Sequence, residues 1–430
     1  MESADQRSND HTESRTGQAF LERIPEPVYQ ELLETFAAAY GFINGKQLRM
    51  AEYFVGLHRS LADDLLSFIE KVTQEIRLNR LPLPAAPEGF APAAENLLPF
   101  ERKNCFSFAY FDAALTEQGI RIIEFQAFPT HSAVSVAMNN FLYEKLALPD
   151  SPLFPNAPNA QPEDFHRLMR QIICGDAENG IVITDRNLAG QKTNFSFYVV
   201  QEALGGKADV VDAKEIFERN GRLFYTHPDR GMQQVQRLYN RIVPTEAMVE
   251  DNYPADPEAL PFRFDSRYRD LTFVNHPCKY LEISKGLLPY ITDPLNPPCY
   301  ELEETADHFF SGAWTCSDFV WKDKWGYAGH TNVLLPDLQL LEQLSKDNML
   351  SRYIAQQKIP FEVFRTGDGL EKIVELRFMV VQSEDTQLIT PMARIGHVHR
   401  TPGCGPVYKV HFGDNNMPGY GFCSVLGMKI

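Results

Sequence analysis

The stretch FSFAYFDAALTEQGIRIIEFQAFPT, Phe106 to Thr130, decides how the rest of the chain is read. Phe106, Phe108 and Tyr110 alternate with smaller residues, and Ile122, Glu124 and Gln126 alternate with Arg121, Ile123 and Phe125. Period-two alternation marks strands, so two are expected here, joined by the hairpin-sized connection Ala113 to Gly119. Glu124 and Gln126 then share one face, with Asp112 on the preceding strand. Two carboxylates and an amide oxygen are hard donors of the kind magnesium takes alongside phosphate oxygens. A symmetric hairpin would set Asp112 near Ile120, so this metal set needs a bulge or a shifted register. A strand with one solvated polar face explains the same residues without an ion.

Working outward, residues 1–17 are polar and are expected to form a disordered tail. Residues 18–100 read as a helical segment ending in a proline-rich linker. Pro25 and Pro27 precede a helix over Val28 to Tyr40, and Gly41 follows it as a stop. A second helix is expected from Gln47 to Ile76, where Leu61, Leu65, Phe68, Ile69 and Val72 recur at helical spacing. Pro82, Pro84, Pro87, Pro92 and Pro99 rule out helix or central strand in the linker. Residues 101–150 carry the strand pair. In residues 151–260, strands at Ile181 to Thr184, Ala208 to Val211 and Leu223 to Tyr225 alternate with a helix at Thr193 to Leu204. That order points to a small doubly wound parallel subdomain. Residues 261–430 mix helices (Glu301 to Phe310, Asp337 to Leu344) with strands (Phe319 to Lys322, Glu375 to Val381). The fold class is α/β, in several interlocked lobes.

Composition bounds the function. At 430 residues the chain exceeds one ordinary core, and a net charge of −16 argues against nucleic acid or an anionic membrane as the main partner. No apolar run is long enough to span a bilayer, and the first residues are not a secretory leader. Seven cysteines without a CxxC pair suit a reducing cytoplasm. His397 and His399 share a strand face but have no further ligand at metal spacing.

Four more groups carry possible chemistry. The strand leading to Lys322 runs into a turn with Gly326 and Gly329, ahead of Asn332, where a lysine and open main chain suit a polyphosphate. Lys279 and Lys285 enter a helix. Gln356, Gln357 and Lys358 lie before Pro360, at a junction suited to reading an adenine edge. Arg377 and Arg394 project from strands, where a guanidinium fork can hold two phosphate oxygens. Solvated lysines, a plain turn and edge arginines explain each group equally well by itself.

Read in order, these blocks resemble the circularly permuted ATP-grasp family, in particular the synthetase half of glutathionylspermidine synthases. The family's metal motif looks like Asp112 with Glu124-Phe-Gln126, followed by a similar Pro129-Thr130. Its P-x-K…S-x-K segment is similar to Pro277-Cys-Lys279 and Ser284-Lys285. Its lysine strand and glycine loop are similar to Lys322, Gly326, Gly329 and Asn332, and its hinge strand to Gln356, Gln357 and Pro360. The resemblance implies two α/β lobes clasping ATP. It implies magnesium on Asp112, Glu124 and Gln126, and phosphates held by Lys279, Lys285, Lys322 and the glycine loop. Gln356, Gln357 and Lys358 would line the adenine site. The implied reaction joins a small-molecule or peptide carboxylate to an amine through an acyl phosphate.

The chain also departs from the pattern. Gln126 stands where Asn is usual, and Tyr327-Ala328 where the loop favours Arg-Glu. Tyr110 replaces an arginine that contacts the reacting phosphate, a role that Arg241, Arg377 or Arg394 would have to supply. No amidase-like segment precedes the first helices, so glutathione and spermidine are not the expected substrates. The readings at this level are a carboxylate–amine ligase, a catalytically inactive relative that binds nucleotide or a protein partner, and an α/β protein with no nucleotide site.

Overall fold

The computed structural model describes residues 11–15, 17–148, 153–245, 260–326, 332–400, 407–410 and 419–428. Its backbone is a mixed sheet assembled from both ends of the chain. Along its main path the strands run in the order His11–Glu13, Ala19–Arg23, Tyr53–His58, Gly421–Met428, Gln387–His399, Glu371–Gln382, Phe108–Thr116 and Gly119–Gln126. Phe364–Arg365 and Val407–Lys409 pair onto its flanks. The expected tail thus ends in an edge strand, since His11–Glu13 pairs with the Phe20–Glu22 stretch. The expected second helix divides in two. Tyr53–His58 is a strand, because its run of apolar and aromatic residues is buried, and the helix itself begins at Arg59. His58 caps that helix through its ring, accepting from the Ser60 N–H.

The two faces of this sheet have different partners. On one face Phe111, Ala113, Ile122, Phe125, Leu376 and Phe378 pack against Leu61, Leu65, Phe68, Ile69 and Val72 of helix Arg59–Arg77. The helical spacing therefore had its buried stripe right, and each such side chain taken from water contributes roughly 1.5–3 kcal/mol. On the other face Phe108, Tyr110, Met379, Met392 and Phe422 meet helices Glu26–Tyr40, Ser132–Lys145, Pro162–Ile173 and Phe195–Ala203.

The parallel sheet is present but is not doubly wound. Its order is Thr272–Val274, Arg237–Asn240, Ile181–Asp185, Asp209–Asp212, so it reaches past the expected boundary at residue 260. Ile181 and Ile183 face helices Pro162–Ile173 and Phe195–Ala203. Val182 and Leu238 face instead a layer containing Leu223, Tyr225, Phe262 and Phe264. Leu223–Tyr225 is not a parallel strand, since Arg222–His227 is the centre of a separate antiparallel sheet with Phe217–Arg219 and Gly231–Gln234. A last antiparallel sheet, Cys299–Glu301, Tyr353–Gln357 and Phe319–Asp323, packs its outer face on helices Leu302–Phe310 and Leu338–Lys346 through Trp321, Phe309 and Leu341.

Candidate nucleotide site

The hairpin is tighter than its sequence indicated. Thr116 pairs with Gly119 across a two-residue turn, not a seven-residue connection. Continued regularly, that register would set Asp112 against Ile123. A bulge between Asp112 and Ala113 shifts the pairing by one, so Asp112 stands opposite Glu124 and Tyr110 opposite Gln126. The bulge thus brings the residues of the expected metal set onto one face.

What surrounds them is cationic. Strand Glu371–Gln382 sets Arg377 directly across from Asp112. Arg377 Nε donates to Asp112 Oδ1 at 2.7 Å and its Nη2 to Oδ2 at 2.5 Å, a bidentate pair. Arg394 adds a third bond to Oδ2 at 2.9 Å and also pairs with Glu375. Burial opposes the charge on Arg377, but Asp112 beside it holds its pKa above the ordinary value. The Arg377 guanidinium lies 4.1 Å over the Tyr110 ring, while the Tyr110 hydroxyl donates to Gln126 Oε1 at 2.8 Å. Lys285, itself buried, stands 3.3 Å from Glu124 and donates to the Gly326 carbonyl at 2.5 Å.

Lys322 arrives from the small antiparallel sheet. Strand alternation sends Phe319 and Trp321 into the outer core and turns Lys322 toward the hairpin, where it donates to the Ile123 carbonyl at 2.8 Å. Burial lowers its pKa, an effect that nearby Glu124 opposes and Lys285 reinforces. On Glu375, burial pushes the carboxyl up to about 7 against the pull of Arg394.

Between the hairpin and the small sheet lies a cavity of about 280 Å³, near the lower end of the roughly 300–1,000 Å³ usual for ligand pockets. Glu124, Lys322, Asn332, Gln356, Gln357, Lys358 and Arg394 all line it, so seven residues singled out from the sequence converge there. Its remaining wall includes Glu375, Val320, Phe361, Tyr408 and Lys409, none of them among the expected site residues. Tyr408 and Lys409 come from the strand paired to His397–His399, and the Phe361 and Tyr408 rings lie 5.1 Å apart. An aromatic pair with a cation beside it can receive a base at one end of the cavity and phosphate at the other. Glu375 was within reach of sequence reasoning, since it shares a strand face with Arg377. Tyr408 and Lys409 carried no such signal.

Other expected residues sit elsewhere. Lys279 is buried and paired with Glu282 at 3.0 Å, outside the cavity wall. The Gly326 N–H closes a turn on Asp323 O at 3.1 Å and its carbonyl accepts from Lys285, so Gly326 is not an open anion cradle. Gly329 lies outside the described residues. Arg241 follows strand Arg237–Asn240, at the carboxyl end of the parallel sheet. It is 5% exposed, lies 5.1 Å over Phe197, and its Nε and Nη1 have no acceptor among the described residues. Burial lowers the pKa of His131, and the charges of Arg241, Arg377 and Arg394 add to that effect.

Magnesium does not fit the expected set as it stands. Both Asp112 oxygens are held by guanidinium groups, and the Gln126 oxygen is held by Tyr110. Among the described residues no three His, Cys, Asp or Glu side chains are grouped to hold a metal. Also among the described residues, no helix is long and apolar enough to cross a membrane, and the six cysteines are free.

No protein-family profile matches the chain, and no curated protein matches it. Solved structures resembling it include a glutathione synthetase-like effector from Globodera pallida. That chain is 9% identical, with a TM-score of 0.43, covering 94% of this chain and 93% of the other. A protein of Methylobacillus flagellatus KT, provisionally assigned as a gamma-glutamylcysteine synthetase, is 10% identical with a TM-score of 0.38, covering 82% and 85%. Similarities of this size establish neither a shared family nor a shared site.

Proposed function

We propose that the cavity binds ATP and that the protein is an ATP-dependent carboxylate–amine ligase. The observation that carries this reading is the convergence of Glu124, Lys322, Asn332, Gln356, Gln357, Lys358 and Arg394, drawn from distant parts of the chain, on one cavity wall. The phosphates would lie toward Lys322 and Arg394, and the base toward Phe361 and Tyr408. Arg377, reaching over Tyr110 from the neighbouring strand, takes the ground of the arginine that Tyr110 replaces.

In the reaction, an oxygen of the substrate carboxylate bonds to the γ-phosphorus as the bond to the ADP oxygen breaks. The amine nitrogen then bonds to the acyl carbon, phosphate departs with the bonding pair, and the nitrogen loses a proton. Lys322 and Arg394, both on the cavity wall, stabilise the transferring phosphoryl group. Glu375 borders the cavity beside Arg394, within reach of a group that gives up that proton. Arg241 is suited to a substrate carboxylate, because its buried Nε and Nη1 find no acceptor among the described residues and an anion would satisfy both.

The test is ADP release on incubation with ATP and a matrix of carboxylic acids and amines, alongside calorimetric ATP binding. Turnover that needs both an acid and an amine supports the ligase reading. Binding of ATP without turnover anywhere in the matrix supports the second reading, a nucleotide-binding protein without catalysis. The Asp112–arginine clamp is the observation that favours that alternative.

A further inference from the structure

The residues that would be expected to hold a divalent ion are instead committed to the protein's own cations. Asp112 is fully buried and does not reach the cavity wall, and three guanidinium N–H groups fill its two oxygens. Glu124 faces Lys285 and Glu375 faces Arg394. With every group ionised, the linked group contains three carboxylates (Asp112, Glu124, Glu375) and four cations (Arg377, Arg394, Lys285, Lys322), a net charge of +1. Lys409, also on the cavity wall, adds another positive charge. Magnesium needs uncommitted oxygen donors and is repelled by an excess of cations, whereas a polyphosphate gains from that excess.

We infer that the cavity takes its nucleotide as the free polyanion, without a divalent ion. Asp112 is then a positioning residue that aims Arg377 and Arg394, not a metal ligand. The inference rests on the nucleotide reading above and departs from it only in the form of the ligand bound. The arginines and Lys322 supply the neutralisation that a metal–nucleotide complex would otherwise bring. The arrangement has a salt signature: affinity falls as ionic strength rises, because the attraction comes from side chains that bulk ions screen.

The deciding experiment is calorimetric titration of the full chain with ATP, in excess EDTA and again in excess magnesium chloride at matched ionic strength. The dissociation constant should be at least about threefold lower in EDTA, because excess magnesium ties up ATP as its metal complex and leaves little of the free polyanion. Asp112→Asn should weaken ATP by the same factor in both buffers, since it disturbs the arginines and removes no ligand. Manganese alone should give no protein-bound signal in electron paramagnetic resonance. Binding that is equal in the two buffers, or tighter with magnesium, overturns the inference and leaves the ATP reading standing. So does an Asp112→Asn defect confined to the magnesium buffer. Binding in neither buffer overturns both. The wild-type comparison decides the matter even if Asp112→Asn fails to fold.

Discussion

Replacing Lys322 by Met separates two roles of one buried ammonium. In the unliganded protein Lys322 ties the small sheet to the hairpin through the Ile123 carbonyl, 2.8 Å away. Losing that bond leaves a buried carbonyl short of a donor, at a cost of about 1–3 kcal/mol. The same change removes a charge that burial and Lys285 both disfavour, a relief of similar size and opposite sign. The Met side chain fills most of the volume, so the net change in stability should stay within about 1 kcal/mol, a few degrees of melting temperature. Affinity behaves differently. A unit charge about 4 Å from a phosphate is worth about 4 kcal/mol at an effective dielectric constant near 20. If a quarter is lost to desolvation, about 3 kcal/mol remains, or roughly a hundredfold in the dissociation constant. Thermal melting without ligand and calorimetry with ATP read the two effects separately. An unchanged ATP affinity in a folded Lys322→Met protein would refute the reasoning, because Lys322 would then be only a tie between sheets.

Three further outcomes follow from the geometry. Arg241→Met should raise the unfolding free energy by about 1–3 kcal/mol in denaturant titrations, because it removes a buried guanidinium with two unpartnered nitrogens, and should abolish turnover; destabilisation would mean that Arg241 serves the fold. His276 is buried, its Nδ1 accepts from the Cys278 N–H at 3.0 Å, and burial lowers its pKa from 6.5 to about 3. The unfolded chain therefore binds this proton first as the pH falls, so stability drops from about pH 6.5 toward pH 3 by roughly 1.4 kcal/mol per unit. In His276→Asn, which keeps an oxygen to cap the helix, the acid slope of the unfolding free energy should be shallower by that amount; an equal slope would exclude His276 as its source. Gly396→Ala would set a Cβ 2.2 Å from the Lys409 carbonyl oxygen, so the strand bearing Tyr408 and Lys409 must move. A cost of about 1–3 kcal/mol is expected, with weaker ATP binding by calorimetry although residue 396 does not line the cavity; unchanged binding would show that Tyr408 and Lys409 do not contact the nucleotide.

Short-range physics made much of the architecture legible before any coordinates. Alternation in Phe106 to Gln126 announced the strand pair, and the spacing of Leu61, Leu65, Phe68, Ile69 and Val72 announced the helix face that packs on the sheet. The Gly41 stop and the strand that carries Lys322 were readable for the same reason: each depends on residues only a few positions apart. Tyr53–His58 was misread because a short apolar run bounded by a helix has no period of its own, and only its two strand neighbours make it a strand. The parallel sheet gained Thr272–Val274 and lost Leu223–Tyr225 through contacts between distant segments.

By itself, the sequence determined which face of its own strand a polar side chain occupies, as for Glu124 and Gln126. The tertiary structure decided what those side chains do to one another. Asp112 and Arg377 are 265 positions apart, and their bidentate bond depends on the register of two strands, while a one-residue bulge in the hairpin sets Glu124 opposite Asp112. Neither register nor bulge can be read from one strand, because a shift of a single residue turns every side chain to the opposite face. The same long-range pairing brought Tyr408 and Lys409 to the cavity and left Lys279 outside it. Whether a carboxylate receives a metal ion or a guanidinium is set by the charges packed within a few ångströms, and those charges come from strands that meet only in the folded chain.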